Sequence, residues 1–164
     1  MRATVASISL VVALSAGCSH IPKEPPFEPV ADINQLMTMM IDPAADAVWE
    51  SVGMILDENG INEWYPRTDE EWAVVMNGAI TITESGNLLM IGNRARDQST
   101  WIRMAQGMVE AGQAALAVAE SRDHEALYEV SEQVYSACES CHNLYWIGDK
   151  DRGRIRGENS QPPN

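Results

Sequence analysis

Cations and aromatics are scarce in this 164-residue chain: 11 Lys and Arg stand against 24 Asp and Glu, and Phe, Trp and Tyr together number ten. A net charge of −13 with no basic stripe excludes nucleic acid as a partner, because that binding is driven by Lys and Arg neutralising phosphates. Cysteine is sparse too. Three in a chain this long are too few for a disulfide-stapled miniature fold, and the chain can bury a core without staples. No convincing run of alternating β-branched residues points to strands, and no apolar run reaches the roughly 20 residues needed to cross a membrane.

The longest apolar run lies at the N-terminus. Arg2 precedes a stretch free of acids through Ala16 and Gly17, and a polar, Pro-rich segment follows Cys18. One cation, an apolar run of about fifteen and small residues before a break read as a secretory signal over residues 1–17. Leu14-Ser15-Ala16-Gly17-Cys18 also resembles a bacterial lipobox, with Leu14 one place further from the cysteine than usual. That resemblance implies a lipid on Cys18 and a membrane tether on an exported protein. Ordinary cleavage nearby, leaving Cys18 a free thiol, is the alternative. Residues 18–30, with four prolines, read as an extended tether.

Helical periodicity dominates the rest. From Asp32 to Ile55, apolar or small residues recur at Leu36/Met37, Met40/Ile41, Ala44/Ala45, Val48, Val52 and Ile55, a first helix that Pro43 should kink or interrupt near Asp42. Thr68 and Glu71 form a capping box that opens a second helix carrying Trp72, Val75, Ala79, Ile82, Gly86 and Leu89. A third runs from about Ser99 to Glu120 through Trp101, Met104, Met108, Ala111, Ala115 and Val118. The fourth starts near Asp123 and carries Leu127, Val130, Val134, Cys138 and Cys141. Short connectors between the later helices complete the pattern of an all-α, up-down antiparallel four-helix bundle over residues 31–147, with a flexible tail over 148–164.

Chemistry gathers at the end of the fourth helix. Cys138-Glu139-Ser140-Cys141-His142 is Cys-x-x-Cys-His, the attachment signature of c-type haem. Two thiols three residues apart can each add to one vinyl group of the same porphyrin, and the following histidine reaches the iron. A structural zinc site would need more ligands than Cys18, His20 and His124 offer. A thioredoxin-like pair would open a helix in a βαβ context, whereas this one closes a helix.

Only 22 residues follow His142, so the rest of the haem pocket has to come from upstream. Over residues 31–147 the arrangement resembles the cytochrome c-prime superfamily, the class II c-type cytochromes, most densely in Ala114 to Leu127 and in Val134 to Tyr145, with Trp101 opening the third helix. The resemblance implies a four-helix bundle with one covalent haem c on the last helix, Cys138 and Cys141 holding it and His142 as the proximal iron ligand. It also implies electron transfer in the bacterial periplasm, with some members binding nitric oxide or carbon monoxide at a vacant iron position. Two departures stand out. Trp146 follows Tyr145 where an Arg or Lys is usual, and the first helix has no basic residue from Asp32 to Asp42. Low-spin members of the superfamily place a Met from the first helix on the iron. Leu36-Met37-Thr38-Met39-Met40 occupies that place here, with Met37 aligned best, Met40 second and Met39 directed elsewhere. Flexible core filling is the alternative role for these methionines.

Arg94, Arg96 and Arg103 are among the few cations available to haem propionates, although exposure is the ordinary state of Arg, and no one of them is assigned. His124 reads as a surface histidine. Between Cys18 and Trp146 the net charge is −15, while the tail from Ile147 carries +1, so the body would steer toward a basic redox partner. Pairing through the first two helices is common in the superfamily, which leaves a homodimer open. No paired catalytic groups are present, and the chain is not read as an enzyme. Two competing readings are a five-coordinate gas-binding haem protein and a haem-free helical lipoprotein with a Cys138–Cys141 disulfide.

Overall fold

The computed structural model describes residues 27–145; the expected signal, Cys18 and the tail over 148–164 lie outside them. Four helical stretches and one small hairpin make up the described chain. Helix α1 (Ile33–Leu36) opens on Asp32, whose carboxylate accepts from the Gln35 N–H while the Gln35 side chain accepts from the Asp32 N–H. A π-helical turn, Met37–Ile41, then leads into α2 (Asp42–Trp49).

Pro43 accounts for that turn. It has no N–H for the carbonyl one turn back and its ring crowds the same carbonyl, so the chain widens instead of breaking, and the Asp42 N–H donates to the Met37 carbonyl. The interruption expected near Asp42 thus takes the form of a single wide turn.

The first helix does not reach Ile55. It ends at Trp49, and the chain forms two antiparallel strands, β1 (Gly53–Asp57) and β2 (Gly60–Trp64), which corrects the all-α expectation. Trp64 explains the change of course. Its indole N–H donates to the Glu50 carbonyl at 2.9 Å, satisfying a group that the helix end leaves open. The same indole lies over Gly53, where a Cβ would sit 2.2 Å from the ring. Gly60, at φ +118°, closes the turn, with Asp57 accepting from the Asn59 N–H.

The remaining helices start and stop within a residue or two of the expected places. Helix α3 (Asp69–Leu89) carries the Thr68/Glu71 capping box, and all six of its periodic positions are buried. A 3-10 turn (Gly92–Arg94) joins it to α4 (Thr100–Ser121). Arg122 stops α4 in the left-handed region, at φ 56°, and its guanidinium pairs with Asp69 at 2.7 Å. Asp123 then accepts from the N–H groups of Glu125 and Ala126 in the first turn of α5 (His124–Tyr145).

Helix α2 packs on α3, α3 on α4, α4 on α5, and α5 back on α2. Their shared core contains Leu36, Val48, Val75, Ile82, Trp101, Ala115, Leu127 and Val134. Close approach of α3 and α4 depends on missing side chains: a Cβ on Gly112 would lie 2.8 Å from the Thr83 backbone nitrogen, and one on Gly86 2.9 Å from the Ala105 carbonyl oxygen. None of the described helices is long and apolar enough to cross a membrane.

Candidate functional site

Helix α5 spends its first half on packing and its last two turns on chemistry. Leu127, Val130 and Val134 are buried, and their stripe continues into Cys138, Cys141 and His142, all half-buried. Steps of three and four along a helix keep a row of side chains on one face. Both thiols and the imidazole therefore share the side of α5 that the core has already turned inward.

Partial burial sets their protonation. Burial, the neighbouring Cys141 and the Asp42 carboxylate push the Cys138 thiol up to about 11. Burial raises Cys141 as well. At neutral pH both sulfurs carry their protons. A disulfide-exchange pair works through a thiol lowered toward neutrality, and this pair is shifted the other way. His142 is lowered by burial, with Asp42 opposing, so the imidazole is neutral at physiological pH, the form that binds a metal.

Asp42, the first residue of α2, thus acts electrostatically on both Cys138 and His142 across the fold. It was not among the site residues expected from sequence. No local pattern marks it, since its relation to α5 exists only after α2 and α5 pack. Beyond the motif, the Tyr145 hydroxyl donates to the Asp97 carboxylate in the connector before α4, and the ring meets Trp101 edge-on at 5.0 Å between centroids. Burial and Asp97 push the Tyr145 phenol up to about 12. The Trp101 indole donates to the Leu89 carbonyl at 2.8 Å. Tyr145, Trp101 and Asp97 thereby pin the end of α5 to both ends of the α3–α4 connection.

The methionines separate by position. Met37 is partly buried and packs against the core, whereas Met40 is 38% exposed and Met39 73% exposed. Asp42 closes the π-helical turn on which Met37 sits by donating to the Met37 carbonyl, and the same residue faces the α5 motif. Arg94 departs from the expected exposure. Its guanidinium is buried and donates to the carbonyls of Ala31, at 2.8 and 3.1 Å, and of Leu88, at 3.2 Å, so it ties the entering chain to the end of α3. Arg96 and Arg103 are exposed, the latter donating to the Thr100 hydroxyl. His124 is also exposed, stacked on Tyr65 at 4.2 Å, at the opposite end of α5 from the motif.

Two half-buried protonated thiols and a neutral imidazole on one helix face form the donor set that covalent haem attachment requires, and the residues fit that group. Among the described residues no three His, Cys, Asp or Glu side chains converge as a metal site of their own. No family model, curated protein or solved structure matches the chain.

Proposed function

We propose that the chain is an exported, periplasmic c-type cytochrome, an up-down antiparallel four-helix bundle of the cytochrome c-prime kind that carries one haem c and passes electrons. The observation that carries it is the Cys138-x-x-Cys141-His142 face of α5, half-buried and within the electrostatic reach of Asp42. The Cys138 and Cys141 thiols would hold the haem through two thioethers, each made by adding S–H across one vinyl group. His142 would ligate the iron through a nitrogen that burial keeps unprotonated. Bound haem supplies one-electron chemistry.

Met37 would be the second iron ligand, because it is the member of the methionine trio that the π-helical turn leaves partly buried. A thioether there raises the reduction potential and suits electron transfer better than gas capture. Cys18 carries the lipid that tethers the chain, and the acidic body meets a basic redox partner. The chain acts as a carrier and not as an enzyme.

Haem staining after denaturing electrophoresis tests the assignment. Stain should migrate with the wild-type chain and vanish when Cys138 and Cys141 are both replaced by Ser; an unstained wild type from cells that mature c-type cytochromes overturns it in favour of a haem-free lipoprotein. The ferric spectrum tests Met37: a weak far-red methionine–iron band should be present and lost in Met37→Ala. A high-spin spectrum with rapid carbon monoxide uptake in the wild type would instead favour the gas-binding form.

A further inference from the structure

An antiparallel sheet with one solvated face ordinarily shows polar side chains there. This hairpin does the reverse. Its register sets Met54 opposite Glu63 and Leu56 opposite Ile61, so these four side chains share one face, while Gly53, Ile55, Asn62 and Trp64 share the other. On the second face Trp64 reaches back to the helices through the Glu50 carbonyl, while Ile55 is itself 52% exposed. On the first, Met54 is 53% exposed, Leu56 76% and Ile61 65%, and none of them packs against the core. Acids predominate around it, Glu63 on the face itself and Asp57 and Glu58 in the turn; the cation Arg67, over the Tyr65 ring, lines a pocket with Ile61 and Glu63 just beyond β2.

We propose that this apolar, acid-rimmed face docks a protein partner that presents an apolar patch ringed by Lys or Arg. Exposed apolar clusters rimmed by polar groups mark interaction sites, and the rim selects the sign of the partner. A second copy would bring like charges together, three acids against three, on bodies that each carry a large acidic excess. A bilayer would have to accept the Glu63 carboxylate beside the inserted side chains, and the three acids outnumber the neighbouring Arg67 that could meet anionic headgroups. Location defines what the contact does. Tyr65, next to β2, stacks on His124 in the first turn of α5, and Cys138 lies 14 residues further along that helix, about 21 Å of rise. A partner held at the hairpin leaves the motif end of α5 uncovered. The inference needs no cofactor and stands or falls apart from haem attachment.

Site-specific photocrosslinking tests it. A benzoylphenylalanine placed at Leu56 of the full chain, in the native cell envelope, should give one discrete protein adduct, absent when the same group replaces the exposed Glu110 of α4. The captured protein, identified by mass spectrometry and purified, should bind the chain about tenfold more weakly after Leu56→Ser with Ile61→Ser, after Glu58→Lys with Glu63→Lys, and as salt rises toward about 0.5 M. Helical circular dichroism and the haem stain should be unchanged in these variants. An adduct of two copies of this chain, a lipid adduct, no adduct above the Glu110 control, or binding indifferent to the four substitutions overturns the proposal.

Discussion

The two ends of α5 treat their side chains in opposite ways. At the C-terminal end, thiols, an imidazole and a phenol are drawn into partial burial, held by Trp101 and Asp97 and biased by Asp42. At the N-terminal end, a half-buried Tyr65 stacks on the exposed His124, and the neighbouring hairpin leaves Leu56 and Ile61 in water. Burial at one end makes chemistry by moving protonation states; exposure at the other leaves free energy to be gained only when something covers it. The core between them does neither, and it is where substitutions should cost most.

Trp101→Ala should have the largest effect on stability. The ring is 2% exposed, its N–H is spent on the Leu89 carbonyl, and Tyr145 meets it edge-on, so truncation leaves both a cavity and an unpaired carbonyl. Urea denaturation should show a loss of about 3–5 kcal/mol. An unchanged midpoint would mean that the motif end is not anchored through this residue. Gly112→Ala comes next. Alanine favours a helix by about 1 kcal/mol over glycine, yet here its Cβ would meet the Thr83 backbone, and a net loss of about 1–3 kcal/mol is expected. A stabilised variant would show that α3 and α4 can separate freely.

Helices α3, α4 and α5 were legible in the sequence because Trp72, Val75, Ala79 and their counterparts keep a three-and-four spacing that only a helix places on one side. The hairpin was not, since Val52 and Ile55 extend the same spacing by accident and Met54, Ile55 and Leu56 are consecutive apolar residues with no alternation to see. Gly53 and Gly60 were the signals available, and they acquire meaning only once Trp64 lies over the first and the chain turns at the second. Cys138, Cys141 and His142 were visible as a local motif. Asp42 and the Tyr145–Asp97 pair were not, because residues 48 apart or more meet only through packing.

That pair offers a pH test of the motif end. Tyr145 is raised to about 12 by burial and by Asp97, so the folded protein holds that proton more tightly than the unfolded chain does. Its stabilising contribution is therefore complete below pH 10 and is lost as pH climbs through 12. Asp97, held well below the ordinary carboxylate range by the Tyr145 hydroxyl and by the N–H groups of Ser99 and Trp101, behaves in the opposite sense. Its contribution is present above the usual carboxylate pKa and disappears as pH falls through the lower folded value. Ultraviolet titration should reveal one late phenol in the wild type, absent in Tyr145→Phe and shifted to lower pH in Asp97→Asn. A late phenol that survives in Tyr145→Phe would detach this tyrosine from the pair.

The smallest expected effect is at the other end, and its smallness is informative. Leu56→Ser removes the most exposed apolar side chain of the face it shares with Met54, Ile61 and Glu63, so the free protein should change in stability by less than about 0.5 kcal/mol, the usual range for a surface position. Gly53→Val, three residues back along the same strand and on the face that carries Trp64, should behave differently. Its side chain displaces the Trp64 indole and with it the bond to the Glu50 carbonyl, freeing the hairpin while the helices stay folded. Amide hydrogen exchange over residues 53–64 separates the two: faster in Gly53→Val, unchanged in Leu56→Ser. A large loss of stability in Leu56→Ser would place that side chain inside the protein's own packing, and the contrast between a face spent on folding and a face kept for a partner would collapse.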